Sequence, residues 1–323
     1  MIADLLDQAG IRIDGDAPWD IQVLDHRFYR RVLMRGSLGL GEAYMDGLWD
    51  VAQLDAFFDR VLRADLDRRL GGLHKAHILA AGLQNLLFNR QSGQRAYEVG
   101  ERHYDIGNDV FEAMLDSRMN YSCAYWAQAD NLEDAQRDKL DLICRKLQLK
   151  PGERLLDIGC GWGGLAHYAA THYGVEVFGI TVSREQQALA RERCAGLPVE
   201  IALMDYRDVR GGFDKAVSVG MFEHVGDKNY RVFFDTVAGA LDDDGLFLLH
   251  TIGRRTTRHC TDPWIDKYIF PNGQLPSARR LAETLEGRFL IEDWHNFGQD
   301  YDRTLMAWRE NFEAAWPELA QRY

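Results

Sequence analysis

The chain has 323 residues, enough for two domains, and 46% of them are hydrophobic, enough to fill a core and to argue against global disorder. A formal charge of −12 argues against nucleic acid as a partner, because that binding rests on neutralising phosphates with Lys and Arg. The five cysteines, Cys123, Cys144, Cys160, Cys194 and Cys260, form no C-x-x-C pair, which disfavours a disulfide framework or structural zinc and fits a reducing cytosol.

The opening MIADLLDQAG is acidic where a signal peptide is basic, and no stretch approaches the roughly 18 to 20 apolar residues that span a bilayer. The expectation is a cytoplasmic protein, free or peripheral on the inner face of the cytoplasmic membrane. Residues 1–72 read as a small, mainly helical domain in which Gly36, Gly39, Gly41 and Gly47 interrupt apolar stretches such as FYRRVL and LDAFFDRVL. Residues 73–98 read as a linker whose Ile78, Leu79, Leu83, Leu86 and Leu87 are flanked by Lys75, Arg90 and Arg95. Two readings fit it: a helix packed on the core, or a helix lying in a membrane interface with its basic ends at the headgroups.

Residues 99–323 read as an α/β catalytic domain. NLEDAQRDKLDLICRKLQL places apolar residues at 140, 143, 144 and 147, a helical spacing, with acids early and bases late. RLLDIG is a short strand ending at glycines, GGLAHYAATHYG a helix stopped by Gly174, and VEVFGIT a second strand. The next helix opens with Ser183 and Gln186 in capping-box spacing and stops at Gly196. VEIALMD, FDKAVSVG and GLFLLHTIG supply three more strands, with MFEHVGDKNYRVFFDTVAGAL a helix before the last. Strands alternating with helices predict a doubly wound, Rossmann-like parallel sheet.

The strongest local signal is LDIGCGWGG, a glycine-rich turn between a first strand and its helix, where a ligand can approach the backbone at the carboxyl end of the sheet. Gly159, Gly161 and Gly164 also satisfy G-x-G-x-x-G, so a dinucleotide is one reading. That site calls for an acid at the end of the second strand, where GITVS instead offers Thr181 and Ser183. Asp157 before the glycines and Asp205 after the third strand suit the amino group and the adenine of S-adenosylmethionine. Glu223 and His250 fall at the ends of two later strands, where doubly wound sheets bind ligands. Cys123, Glu223 and His250 lack the close spacing of a metal motif, and no metal is expected.

YSCAYW, LDIGCGWGGLAHY, SVGMFEHVG, LLHTIG, DPWIDKYIFPNG and EDWHNFGQDYDRTLMAW together closely resemble the S-adenosylmethionine-dependent cyclopropane synthases, the family that includes the mycolic acid synthases. The resemblance begins in AGIRIDGDAP and GSLGLGEAYMDGLWD and runs to the end of the chain, which points to the phospholipid-acting branch. It implies transfer of a methylene group to cis double bonds of phospholipid acyl chains. An alkene is a weak nucleophile, so the sulfonium methyl must be held close and in line. Transfer leaves a carbocation, and loss of a proton from the new methyl closes the ring.

In this family a bound bicarbonate is thought to take that proton. By motif, its cradle here is Cys123, Glu223, His250, Ile252 and Tyr301, with Cys123 and Ile252 contributing backbone groups. The implied cofactor contacts are Tyr104, Tyr121 and Ser122, the turn with Asp157, Gly159, Gly161 and Gly163, then Thr181, Ser183 and Gln186 near the ribose, and Asp205 and Tyr206 near the adenine. Trp264, Ile265, Tyr268, Ile269 and Phe270 resemble a cap over an acyl-chain entrance. The implied partner is a phospholipid bilayer surface, with room for a homodimer, and the resemblance implies one more helix and strand beyond Tyr323. Two rivals share the motifs: a relative that makes a methyl or methylene branch, and a lipid-surface binding protein with a vestigial cofactor fold.

Overall fold

Trp49, Phe57, Phe28, Ile11 and Ile21 lie almost wholly out of water at the centre of the N-terminal part of the chain, and they explain why its short elements hold together. The computed structural model describes residues 2–66, 107–258 and 261–323. It divides the chain into two compact units, Met1–Asn89 with Arg258–Pro271, and Arg90–Thr257 with Asn272–Tyr323. The expected linker, 73–98, lies outside the described residues, as do Tyr104 and Cys260.

The first unit carries helices α1 (Ile2–Asp7), α2 (Arg27–Met45) and α3 (Leu54–Arg63). Its mainly helical character is relieved by two three-residue antiparallel strands, β1 (Ile21–Val23) and β2 (Trp49–Val51), too short to leave an alternation in the sequence. The glycine cluster behaves differently from the expected turns. Gly36 alone leaves helical geometry (φ 56, ψ −130) and kinks α2, while Gly39 and Gly41 stay within the helical span. Gly41 lies so close under the Trp264 ring that a Cβ there would sit 2.3 Å from it. The segment Arg258–Pro271, late in the sequence, therefore packs with the N-terminal residues rather than with the residues that flank it.

The second unit begins its described part with α4 (Asn108–Met114) and α5 (Leu132–Lys146), the latter capped by Asn131, whose side chain accepts the Asp134 N–H at 2.9 Å. Strands β3 (Arg154–Ile158), β4 (Glu176–Thr181), β5 (Val199–Leu203), β6 (Phe213–Val219) and β7 (Leu241–His250) form one sheet in the order β5-β4-β3-β6-β7. Every pairing is parallel. Between them run α6 (Gly164–Tyr173), α7 (Arg184–Arg193) and α8 (Tyr230–Ala240). Alternate strand residues feed two cores: Leu155 and Val217 meet α5, α6 and α7, whereas Leu156 and Ala216 meet α8 and Leu281 of α9 (Ala278–Leu285). The strand order reverses between β3 and β6, which makes their carboxyl ends the natural ligand crevice.

The expected helix from Met221 onward starts only at Tyr230. Phe222–His224 is a single 3-10 turn, because tertiary hydrogen bonds claim its backbone and side chain: Glu223 Oε1 accepts the Ile252 N–H and the Glu223 carbonyl accepts the Gln274 N–H, both at 2.7 Å. β7 also starts four residues earlier than expected, with a register irregularity that leaves Asp242, Asp243 and Asp244 in solvent.

Candidate active site

The glycine turn is held by its neighbour strand. The Gly159 and Cys160 N–H groups both donate to the Ile180 carbonyl at 3.0 Å. Gly161 then takes φ +53, and beyond its chain neighbours no atom of the described residues lies within 4 Å of where its Cβ would be, so the backbone presents an open face there. Asp157 stands at the end of β3, only 2% exposed, with Oδ2 buried and unpartnered. Burial pushes its carboxyl up to about 7. A cationic ammonium group is what such a carboxylate lacks.

At the end of β4 the predicted ribose contacts form one local network. The Thr181 hydroxyl donates to Gln186 Oε1 at 2.8 Å and accepts the Ser183 N–H at 3.2 Å, while Ser183 Oγ accepts the Gln186 N–H at 3.3 Å. The Gln186 side chain thus turns to Thr181 instead of completing a reciprocal capping box with Ser183. Past β5, Asp205 is engaged by Arg207, whose guanidinium lies 2.8 Å from Oδ2 and whose N–H donates to Oδ1 at 2.9 Å. Arg207 was not among the predicted residues. Tyr206 packs against Phe233, with its hydroxyl buried and unpartnered.

A second cluster surrounds the ends of β6 and β7. Glu223 Oε1 is fixed by the Ile252 N–H, Oε2 is buried without a partner, and burial raises the carboxyl above its ordinary range despite the opposing hydrogen bond from Ile252. The Gly220 N–H donates to the His250 carbonyl at 3.0 Å, tying the two strand ends. His250 Nδ1 is buried and unpartnered, its ring lies 5.3 Å from that of Phe297, and burial, helped by the charge of Lys139, lowers its pKa to about 3. The imidazole is therefore neutral at physiological pH.

Cys123 and Tyr301 complete the cluster from two other elements. Helix α10 (Asp300–Leu319) holds the loop before α5: Thr304 Oγ1 accepts the Ala124 N–H at 3.1 Å and the Trp126 indole N–H at 2.9 Å, and Asp300 accepts the Trp126 N–H at 2.8 Å. This places Tyr301 in the electrostatic reach of Tyr121, Glu223 and Cys123, and burial raises its phenol well above the ordinary value. Burial likewise pushes the Cys123 thiol up to about 11, so it is no thiolate nucleophile at neutral pH. Cys123, Cys144, Cys160 and Cys194 are all free and buried.

Sequence reading missed the residues behind this loop. Gln136 and Lys139 of α5 are 0% and 1% exposed and reach Asn120 and Ser122. Their signal was two polar residues on the apolar stripe that also holds Leu140, Ile143 and Cys144. The suggested cap residues Trp264 to Phe270 fall in the first unit, where Lys267 Nζ and the Tyr268 hydroxyl donate to Glu42 at 2.8 and 3.1 Å. Among the described residues no group of three or more His, Cys, Asp or Glu is arranged to hold a metal, and no helix is long and apolar enough to cross a membrane.

A parallel sheet with this switch point, a glycine turn open at Gly161 and a lone acid at Asp157 define the class of S-adenosylmethionine-dependent methyltransferases. The family model for mycolic acid cyclopropane synthetase matches residues 91–323. The chain is 60% identical to the cyclopropane-fatty-acyl-phospholipid synthase of Escherichia coli K12 over 320 residues, which is 99% of this chain and 83% of that protein. It superposes on a cyclopropane synthase of Mycobacterium tuberculosis with a TM-score of 0.65 at 33% identity, covering 69% of this chain and 85% of the other. A mycolic acid cyclopropane synthase complexed with SAH and CTAB gives 0.63 at 32%, covering 68% and 83%. The chain belongs to the cyclopropane synthase family of S-adenosylmethionine-dependent enzymes.

Proposed function

We propose that this enzyme converts cis double bonds of phospholipid acyl chains into cyclopropanes, with the ring-closing proton removed at the Glu223–His250 cluster. The observation that carries the reading is the pair of buried, unpartnered atoms there, Glu223 Oε2 and His250 Nδ1, together with Asp157 Oδ2 at the glycine turn. Buried polar atoms are paired in folded proteins as a rule, so those among the exceptions that stand at a sheet's ligand end point to bound groups. S-adenosylmethionine would supply the electrophilic methyl, and bicarbonate the base.

The chain's own residues would do the rest. Asp157 pairs with the cofactor's ammonium, and Gly161 lets it lie against the backbone. Tyr121, Ser122, Thr181, Ser183, Gln186, Asp205 and Tyr206 complete its pocket, as does Tyr104 outside the described residues. The backbone at Cys123 and Ile252 positions the anion. Glu223, with its raised pKa, can hold or release a proton at Oε2, and neutral His250 can relay it outward. Tyr301, partly buried in the reach of Glu223 and Cys123, would offer an aromatic face to the developing cation.

The substrate surface in this reading is a phospholipid bilayer met peripherally. Exposed Met45 (54%), beside Arg31, Arg35 and Lys267, which pair with Asp46 and Glu42 of the same unit, supports contact with lipid by that unit. The basic helix with Lys75, Arg90 and Arg95 lies outside the described residues. The test is mass spectrometry of acyl chains after incubating monounsaturated phospholipid vesicles with enzyme and S-adenosylmethionine. The expected product gains one CH2 and loses its double bond. A retained double bond or a methyl branch would assign the chain to branching chemistry, and no mass gain would overturn the reading.

A further inference from the structure

Helix α5 turns two polar side chains inward. Gln136 and Lys139 are three residues apart, hence on one face, and both reach the loop that carries Tyr121, Ser122 and Cys123. Gln136 Nε2 donates to the carbonyls of Asn120 at 3.2 Å and Ser122 at 3.0 Å. Lys139 Nζ donates to the Ser122 hydroxyl at 2.8 Å. A glutamine is sufficient to clamp a backbone. A lysine adds a charge, and enclosing a charge is unfavourable unless an opposite one answers it.

Among the described residues Lys139 forms no ion pair. The one acid whose field supports its charge is Asp116, and Asn120 already occupies both carboxylate oxygens, through its N–H at 2.7 Å and its side-chain amide at 2.8 Å. On its other side the ammonium acts on Cys123 and His250, lowering the pKa of each. The buried cation thus faces the cluster with the unpartnered Glu223 Oε2 and His250 Nδ1, and it is short of one negative charge.

We propose that Lys139 is a positioning residue for a bicarbonate-type oxyanion: its ammonium orders Ser122 and supplies, from behind the loop, the positive charge that draws the anion to Cys123, Glu223 and His250. This rests on the anion site given under Proposed function. Burial lowers the Lys139 pKa to about 8, with Asp116 and Cys123 opposing, so the charge is present at neutral pH and is lost as pH rises through that value. Glu223 and His250 face the same centre: burial raises the Glu223 carboxyl above its ordinary range, and His250, with a pKa of about 3, does not change charge in step with Lys139.

The test measures bicarbonate binding directly, by broadening of the 13C resonance of labelled bicarbonate, alongside the bicarbonate dependence of turnover. Lys139→Gln keeps a donor toward Ser122 but removes the charge. Its bicarbonate affinity should fall roughly tenfold or more, the scale of one charge-assisted hydrogen bond, while S-adenosylhomocysteine affinity by calorimetry changes little. Wild-type bicarbonate affinity should fall as pH rises through about 8, and that of Lys139→Gln should stay level. Equal affinity and an equal pH profile in both proteins would overturn the proposal. If the variant does not fold, a wild-type affinity that stays constant across pH 8 overturns it alone. Should the wild type neither bind bicarbonate nor depend on it, the anion-site reading fails first and takes this one with it.

Discussion

Glu42 and Glu223 are both 8% exposed, yet their surroundings drive them apart. Burial alone would raise Glu42, but hydrogen bonds from Lys267 and Tyr268, with the charges of Arg35 and Lys267, take it below its ordinary value. At Glu223 burial outweighs the Ile252 N–H on Oε1 and the smaller help from its own backbone and the Thr251 side chain, and the carboxyl rises. The difference teaches how a buried carboxylate can be read. One whose acceptors are filled holds structure together, here joining α2 to a segment more than two hundred residues later. One left half filled is poised for chemistry.

The largest expected effect breaks the comparison on the reactive side. Glu223→Gln preserves shape and the contact with Ile252 but cannot take or give the proton. Turnover should fall by about two to four powers of ten, the range for a general base, with S-adenosylhomocysteine affinity by calorimetry unchanged. Wild-type turnover in this variant would remove Glu223 from the proton path.

Asp157 sharpens the comparison, being another buried carboxyl with an unpartnered oxygen. With its pKa raised to about 7, it is neutral below that pH and charged above it. Cofactor affinity should therefore climb as pH rises through about 7, and in Asp157→Asn it should stay low and level, roughly tenfold or more beneath wild type at the alkaline end. Stability runs the other way. A folded-state pKa raised above the ordinary 3.8 favours the fold most below 3.8, and that advantage is lost as pH rises through 7. His250 has the opposite dependence: depressed from 6.5 to about 3, it adds stability above 6.5 that is lost as pH falls. The Asp157 contribution is thus read as the difference between melting curves of wild type and Asp157→Asn without cofactor.

The smallest effect is on the structural side. Lys267 and Arg35 are about half exposed, so their pairing with Glu42 is partly screened. Glu42→Gln should cost about 1 to 2 kcal/mol in denaturant unfolding. Because the Glu42 pKa is lowered, this stability is present above the ordinary 4.5 and disappears as pH falls below it. Equal stability of the two proteins at neutral pH would show that the network contributes nothing.

What the sequence made legible was local. Asn131 capping α5, the strand-turn-helix from Arg154 to Tyr173 and the stop at Gly174 are each specified within a few residues. So were the positions of Glu223 just past β6 and of His250 at the end of β7, because the alternation of strands and helices carries them. What stayed hidden depends on distant partners. The 3-10 turn at Glu223 is set by Ile252 and Gln274, Lys139 is buried because Ser122 lies over it, and the Trp264 segment joins the first unit through Glu42 and Gly41. The pairing of Asp205 with Arg207 spans only two residues and escaped because charged neighbours in a loop usually face solvent.

The measurement that bears most directly on the account is a 13C NMR titration of protein labelled at the glutamate carboxyls, with Glu223→Gln and Glu42→Gln used to assign the two signals. Glu42 should titrate below the ordinary glutamate value of 4.5 and Glu223 above it. A single shared midpoint, or the reverse order, would contradict it.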